Sequence, residues 1–240
     1  MWSNDEGSTR ERALDHALWG RSVDFVVHEL KTPLTSILLS AEDLLDSDGA
    51  PNRRSLERIL NCARAMQCFV GDLLDSSALD EGQLSLQLAA HPIEPIVGEA
   101  FDVVTPLASD RSVALVMSAS PTAIAWCDRR RALQVLLNLI SNAVRFAKEG
   151  GVVAVRATVA HGRVDIAITD DGAGIPAALE RQLFEPFAHS TDARKAGHGL
   201  GLFISRRIAK ALDGEVSLEP NHGAGSTFHF TLPLSPKVAP

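Results

Sequence analysis

The chain has little that would tie it to a membrane, an oxidising compartment or a nucleic acid. Only three of its 240 residues are cysteine. Cys62, Cys68 and Cys127 lack metal-ligand spacing and leave an odd number for pairing, so reduced thiols in a cytosolic protein are expected rather than a disulfide framework. No apolar run approaches the ~18 residues that read as a spanning helix, and the opening stretch MWSNDEGSTRER is too polar and acidic for a signal peptide. The sequence as it stands reads as soluble and cytoplasmic, and an anchor would belong to a longer parent protein. Basic residues are outnumbered, 23 Lys and Arg against 30 Asp and Glu, for a formal net charge of −7. Apart from Arg129, Arg130 and Arg131 they are scattered, which offers no phosphate-backbone footprint and argues against a nucleic-acid partner. That trio falls where a helix should begin and reads as a solvated first turn. A P-loop, GxxxxGK[ST], is also missing.

What is present is a strong hydrophobic pattern, at 45% apolar content, in two styles. Ser8 with Glu11 forms a capping box, and from about Thr9 apolar residues recur at helical spacing through Leu14, Leu18, Leu30, Leu34, Ile37, Leu38, Ala41 and Leu45. SDGAPN (47–52) stops this helix. A second one follows through Leu56, Ile59, Leu60, Ala63, Phe69, Val70, Leu73 and Leu74. Such a two-helix hairpin has more apolar stripe than its own partner covers, so pairing with a second copy as a dimeric four-helix bundle is expected.

After a polar hinge at DEGQ (80–83), short β-rich runs alternate with helical ones. Strands are expected over Leu84–Leu88, Val113–Met117, Val152–Val159, Arg163–Thr169, Glu215–Leu218 and Ser226–Leu232, and helices over Ile93–Ser109, Asp128–Lys148 and Gly201–Leu212. The fold class is α+β, a helical hairpin followed by an α/β sandwich with a mixed sheet. The expected division is a helical lead-in over residues 1–20, the hairpin domain over 21–79 and the sandwich over 80–235.

Four constellations carry chemistry. In FVVHELKTPLTSI, reactive side chains interrupt the first apolar stripe. His28 and Thr32 are four apart and share a helix face, while Pro33 removes a donor to the carbonyl of Glu29, so a local bend is expected. In QVLLNLISNAVRF, Asn138, Asn142 and Arg145 form a polar stripe opposite Leu133, Leu136, Leu137, Ile140 and Val144. Two amides and a guanidinium suit a nucleotide triphosphate and a Mg²⁺ ion that prefers hard oxygen ligands. In AITDDGAGIP, Asp170 ends a strand, where a carboxylate can accept from the exocyclic amine of adenine, which selects ATP over GTP. Gly172 and Gly174 permit close backbone approach. In GHGLGL, Gly197, Gly199 and Gly201 open a helix whose N-terminus favours phosphate. Each has a plainer alternative when read alone: a packing histidine, a solvated polar face, an ordinary turn and a flexible helix cap.

HELKTPL closely resembles the H-box of sensor histidine kinases with a HisKA-type dimerisation and phosphotransfer domain. The resemblance implies His28 as phosphoacceptor and Glu29 as its general base, with Thr32 completing an ExxT arrangement that also supports dephosphorylation of the partner. A helix-face threonine bonding its own backbone is the other reading of Thr32. NLISNAVRF resembles the N-box, implying Asn142 as the Mg²⁺ ligand, Asn138 near phosphate and metal, Arg145 on phosphate and Phe146 against the adenine. Arg145 stands where Lys is commoner. AITDDGAGIP resembles the G1 box, which implies Asp170, Gly172, Gly174 and Ile175 at the base. Phe184, Glu185, Pro186 and Phe187 resemble the F-box, residues 188–198 an ATP lid, and GHGLGL the G2 box, implying Gly197, Gly199, Leu200 and Gly201 at the phosphates. Thr227 falls where the family often has a threonine near the adenine-binding aspartate.

All motifs stand in the family's order between residues 25 and 204. The resemblance therefore implies a gyrase-like ATPase fold over about 84–233, ATP and Mg²⁺ as cofactors, a homodimer, and a separate response regulator whose aspartate receives the phosphoryl group. It also implies an upstream sensor domain or protein, because 27 residues before His28 are too few for one. His16 and His198 are the other candidate acceptors. An ATP-binding signalling scaffold without phosphotransfer, and a serine kinase resembling anti-sigma factors, are the rival readings.

Overall fold

The computed structural model describes residues 26–46, 52–81, 84–120, 122–180, 182–186, 199–219 and 225–235. The Ser8–Glu11 capping box, His16, the stop at 47–51, Phe187, and the 188–198 segment with Gly197 and His198 lie outside the described residues. The chain divides into two compact units, Met1–Leu73 and Leu74–Pro240.

The first unit is a helical hairpin. Helix α1 covers residues 26–45 and runs unbroken through Pro33. Helix α2, Arg53–Asp80, carries its last turns into the second unit. Asn52 starts α2 by accepting the backbone N–H of Arg54 on Oδ1 at 3.1 Å, which satisfies a donor that the first helical turn leaves free. Phe69, Ser40 and Ser55 are buried, yet Val27, Leu34, Leu38, Leu39, Leu45, Leu56, Leu60 and Val70 remain exposed. An apolar surface of that extent on two helices exceeds what isolated surface leucines explain.

The second unit is built on a mixed five-stranded sheet with the order β2-β4-β5-β7-β6. The strands are β2 Ala114–Ala119, β4 Val152–Ala160, β5 Arg163–Asp170, β6 Glu215–Glu219 and β7 Ser226–Pro233. Only the β2–β4 pair is parallel. Alternation along the central strands buries Val153, Val155, Ala157, Val164, Ile166, Ile168, Phe228, Phe230 and Leu232 on one side. Against that apolar side pack α3 (Ile93–Asp110), α4 (Arg129–Phe146) and α6 (Gly201–Ala211). A four-residue helix α5, Ala177–Glu180, follows the turn after β5.

Three expectations shift. Leu84–Leu88 is not a strand; the chain pairs later, as β1 Ala89–Pro92 against β3 Ile124–Cys127 in a separate two-stranded sheet. The N-terminal end of α4 is set by Asp128 as N-cap, whose carboxylate accepts from the backbone N–H groups of Arg131 and Gln87 at 3.1 and 2.9 Å. Burial alone would raise the Asp128 pKa, but backbone donors from Gln87, Arg131 and Arg130 outweigh it and hold the carboxyl below its usual value. Arg131, expected in a solvated turn, is buried instead. Its guanidinium lies 2.7 Å from the Asp75 carboxylate, and Gln134 bridges the two by accepting from Arg131 and donating to Asp75 at 2.8 and 2.7 Å. A buried cation needs such a partner.

Cys127 is fully buried, and burial, with the charge of Asp128, pushes its thiol up to about 11. It is therefore an unreactive thiol at neutral pH.

On the other side of the sheet His229 sits between two carboxylates, with Nδ1 3.0 Å from Asp165 and Nε2 3.1 Å from Glu219. Burial lowers its pKa, but hydrogen bonds and charge from Asp165 and Glu219 raise it further, for a net value above the ordinary one. The folded form thus holds the proton more tightly than the unfolded chain. This stabilisation is complete below the unfolded histidine value of about 6.5 and disappears as pH rises through the higher folded value. The melting temperature is expected to fall across that window, and D165N to flatten the dependence. An unchanged slope in D165N would show that the cluster does not set it.

Candidate functional site

The chemistry of the second unit gathers around α4. Its buried stripe is Ala132, Val135, Leu136, Leu139, Ile140, Ala143 and Val144, rotated from the expected one, since Leu133 and Leu137 are only half-buried. The polar stripe keeps its expected members, with Asn138, Asn142 and Arg145 all half-buried.

At its C-terminal end α4 abuts the turn after β5. The backbone carbonyl of Phe146 lies 2.2 Å from where a Cβ on Gly172 would stand, so only glycine lets the two segments approach. Gly172 in turn donates its backbone N–H to Asp170 Oδ1 at 2.8 Å. Gly174 has φ 76°, the left-handed region that favours glycine, and Ile175 follows it half-buried. Asp171 ties the same turn to the end of α4 by accepting the Lys148 backbone N–H at 3.2 Å.

Asp170 is 5% exposed, on the helix side of the sheet. Burial raises its pKa above the usual value and the neighbouring Asp171 adds to the effect, while donors from Gly172 and Ser226 act against it. The hydroxyl beside Asp170 is that of Ser226, not the expected Thr227. Asp170 pairs with Ser226 in the β5–β7 register, and Thr169 with Thr227. The Thr227 hydroxyl meets Thr169 at 3.0 Å, on the opposite side of the sheet from Asp170, because adjacent strand residues point to opposite faces.

Mid-helix, α4 meets the glycine-rich start of α6. Asn138 donates its amide N–H to Ser205 Oγ at 2.8 Å, and its Oδ1 lies 2.2 Å from the Cβ position that Gly201 leaves empty. Gly199 has φ 67°, and Leu200 is buried beneath the turn. Phe184 is held by the Arg206 guanidinium, 4.8 Å from its ring centre, and by an edge contact with Phe228 at 6.5 Å. The described N-box, G1 and G2 residues are thus brought together on one unit. Ser205 and Ser226 carry no motif signal of their own; each follows a glycine string by one to four residues.

In the first unit His28 is 77% exposed, and its Nδ1 lies 3.6 Å from Glu29 Oε1. Thr32 donates its hydroxyl to the His28 backbone carbonyl at 3.2 Å.

A buried carboxylate, a polar helix stripe and a glycine-rich helix start thus share one mixed-sheet unit, which a histidine-bearing hairpin precedes in the chain. Residues 127–236 match the histidine kinase-, DNA gyrase B- and HSP90-like ATPase family, and residues 19–82 match the His Kinase A (phospho-acceptor) domain. The sensor protein TorS of Escherichia coli is 32% identical over 89% of this chain, and the sensor protein GacS of Pseudomonas syringae is 32% identical over 86%. This chain spans 24% of the length of each. Among solved structures, the Acinetobacter baumannii histidine kinase AdeS aligns with TM-score 0.71 at 27% identity, covering 87% of this chain and 98% of that one. ShkA in complex with AMPPNP aligns with TM-score 0.68 at 28% identity, covering 91% of this chain and 47% of that one. The chain belongs to the histidine kinases that join a HisKA domain to a gyrase-like ATPase domain.

Among the described residues no helix is long and apolar enough to cross a membrane.

Proposed function

We propose that this chain transfers the γ-phosphoryl group of ATP to His28 and passes it to an aspartate on a separate response regulator. The observation that carries the reading is the exposed His28 imidazole with the Glu29 carboxylate 3.6 Å from Nδ1. In this reading Nε2 attacks the γ-phosphorus, an N–P bond forms, the bond from the γ-phosphorus to its bridging oxygen breaks, and ADP leaves. Glu29 takes the proton held on Nδ1. The spacing exceeds a hydrogen bond and would tighten in the reacting complex.

The ATP site is assigned to Asp170, Gly172, Gly174 and Ile175 at the adenine, with Phe146 beside it, and to Arg145, Gly197, Gly199, Leu200 and Gly201 at the phosphates. Thr227 stays on the periphery through its bond to Thr169. Amide oxygens of Asn142 and Asn138 fit the hard, oxygen-preferring Mg²⁺, and no cluster of three metal-binding His, Cys, Asp or Glu occurs among the described residues. Phosphate oxygens and waters would complete the ion's ligands. When bound, Mg²⁺ neutralises the triphosphate charge.

The functional division is a lead-in over 1–20, a dimerisation and phosphotransfer domain over 21–79 and an ATP-binding domain over 80–235. The exposed leucines of α1 and α2 support a homodimer, ATP supply supports a cytoplasmic location, and the signal enters from an upstream sensor domain or protein.

The test is labelling of the purified chain by γ-labelled ATP with Mg²⁺, followed by addition of candidate response regulators. Transfer from labelled chain to a regulator is expected. ATP binding without labelling would support the scaffold reading. T32A is expected to retain labelling while losing most regulator dephosphorylation, because its hydroxyl must leave the His28 carbonyl to hold a water. A T32A protein with undiminished phosphatase activity would leave that hydroxyl its backbone role.

A further inference from the structure

Arg111 lies outside every chemical string of the chain, yet three segments meet on it. It ends α3, bonding its backbone N–H to the Ala108 carbonyl at 3.2 Å, and its own carbonyl accepts the Gly150 N–H at 3.1 Å. The half-buried guanidinium then reaches the end of α4, donating through Nε to the Val144 carbonyl at 3.1 Å and through Nη2 to the Ala147 carbonyl at 3.2 Å. A helix leaves its last carbonyls without intrahelical partners, and a cation placed there also meets the negative end of the helix dipole. Continued helix would pair the Val144 carbonyl with the Lys148 N–H, but that donor goes to Asp171 instead. The direction of both Arg111 bonds is fixed, because a guanidinium only donates and a carbonyl only accepts.

Phe146 lies between the two residues whose carbonyls Arg111 holds. Its own carbonyl is the atom set against Gly172, whose N–H bonds Asp170 Oδ1. The last turn of α4 is therefore held on one side by Arg111 and on the other by the turn after β5. We propose that Arg111 is a positioning residue for the nucleotide base: by holding that last turn it sets the gap between Phe146 and Asp170, and with it the preference for adenine. A planar fork on two carbonyls three residues apart fixes both the place and the rotation of the turn, which a donor at a single point does not. The inference rests on reading the cleft as an ATP site with Asp170 at the adenine.

R111M keeps an unbranched apolar stem and removes every donor. Its ATP affinity is expected to fall about tenfold, the size of a lost hydrogen bond. GTP presents an acceptor where adenine has its amine and would be held through its phosphates, so its affinity is expected to stay the same and the ATP-to-GTP ratio to fall with ATP. R111K keeps the charge but offers one ammonium in place of the fork, and a fall of about threefold, half that free energy, is expected. It also carries the test if R111M does not fold. V164A, at the far end of β5 from Asp170, is expected to lower the melting temperature through lost packing and to leave the ratio unchanged. The measurements are competition titrations of ATP and GTP against a fluorescent ADP analogue on the full chain with Mg²⁺, with melting temperatures alongside. An unchanged ratio in R111M and R111K, equal weakening of both nucleotides, or a ratio that falls with melting temperature in V164A would overturn the proposal and leave Arg111 a helix cap. Absence of ATP binding by the unaltered chain would instead overturn the ATP-site reading, and equal affinity for ATP and GTP the assignment of Asp170 to the adenine.

Discussion

H28Q is expected to abolish acid-labile labelling by γ-labelled ATP and to leave nucleotide affinity unchanged. Glutamine approximates the size and polarity of imidazole but offers an amide whose nitrogen lone pair is delocalised and is no nucleophile. His28 is 77% exposed on α1, so the substitution removes no buried contact and the fold should persist. The residues proposed to bind ATP lie in the other compact unit, Leu74–Pro240, which is why binding should be spared. Loss of labelling should reach the background of the assay. E29Q is the companion variant: it keeps the side-chain length but cannot take a proton, and its labelling rate should drop by about 10²–10⁴, the usual contribution of a positioned base. Label that survives in H28Q would name another acceptor, with His16 and His198 first to be examined.

D170N is expected to separate binding from stability. Asp170 is buried with a raised pKa: desolvation is the largest cause, the Gly172 backbone N–H opposes it, and the charge of nearby Asp171 adds to it. Its ionised form therefore costs folding free energy at neutral pH, since the unfolded carboxyl titrates near 3.9. Acidification through the raised folded value stabilises the protein as far as this group is concerned. Asparagine removes the charge but keeps an oxygen for the Gly172 N–H, so the melting temperature should stay level or rise. ATP affinity should fall by about ten- to a hundredfold, because an acceptor that carries charge is replaced by a weaker neutral one. In the unaltered chain, ATP affinity should decline on acidification at a higher pH than an ordinary carboxylate would dictate, and in D170N this decline should be absent. Tight binding by D170N, or weak binding accompanied by a collapse in melting temperature, would remove Asp170 from the adenine site.

Much of this was legible along the chain because the chemistry is carried by short strings. HELKTPL, NLISNAVRF, DDGAGIP and GHGLGL each place their functional groups within one turn or helix, and local geometry then sets their spacing. Periodicity likewise located the cores of α2, α3, α4 and α6 and most strands. Errors arose where a choice depends on a distant partner. The β1–β3 pair joins residues 32–38 apart, and nothing in LSLQL distinguishes a loop from a strand before β3 is known. Leu133 and Leu137 satisfy the same helical period as the buried Leu136 and Leu139, so the rotation of α4 is set by the sheet and by α3 and α6, not by the pattern.

The sequence by itself determined the order of the chemical strings, the alternation that makes the sheet and the helical period that makes the hairpin, because each depends on residues within a few positions of one another. Only the tertiary structure decided that Ser226 rather than Thr227 reaches Asp170, that Arg131 is buried against Asp75, and that Ser205 holds Asn138. These are contacts between elements 50 or more residues apart in the chain, and their partners are selected by strand register and helix rotation, quantities that no single segment contains.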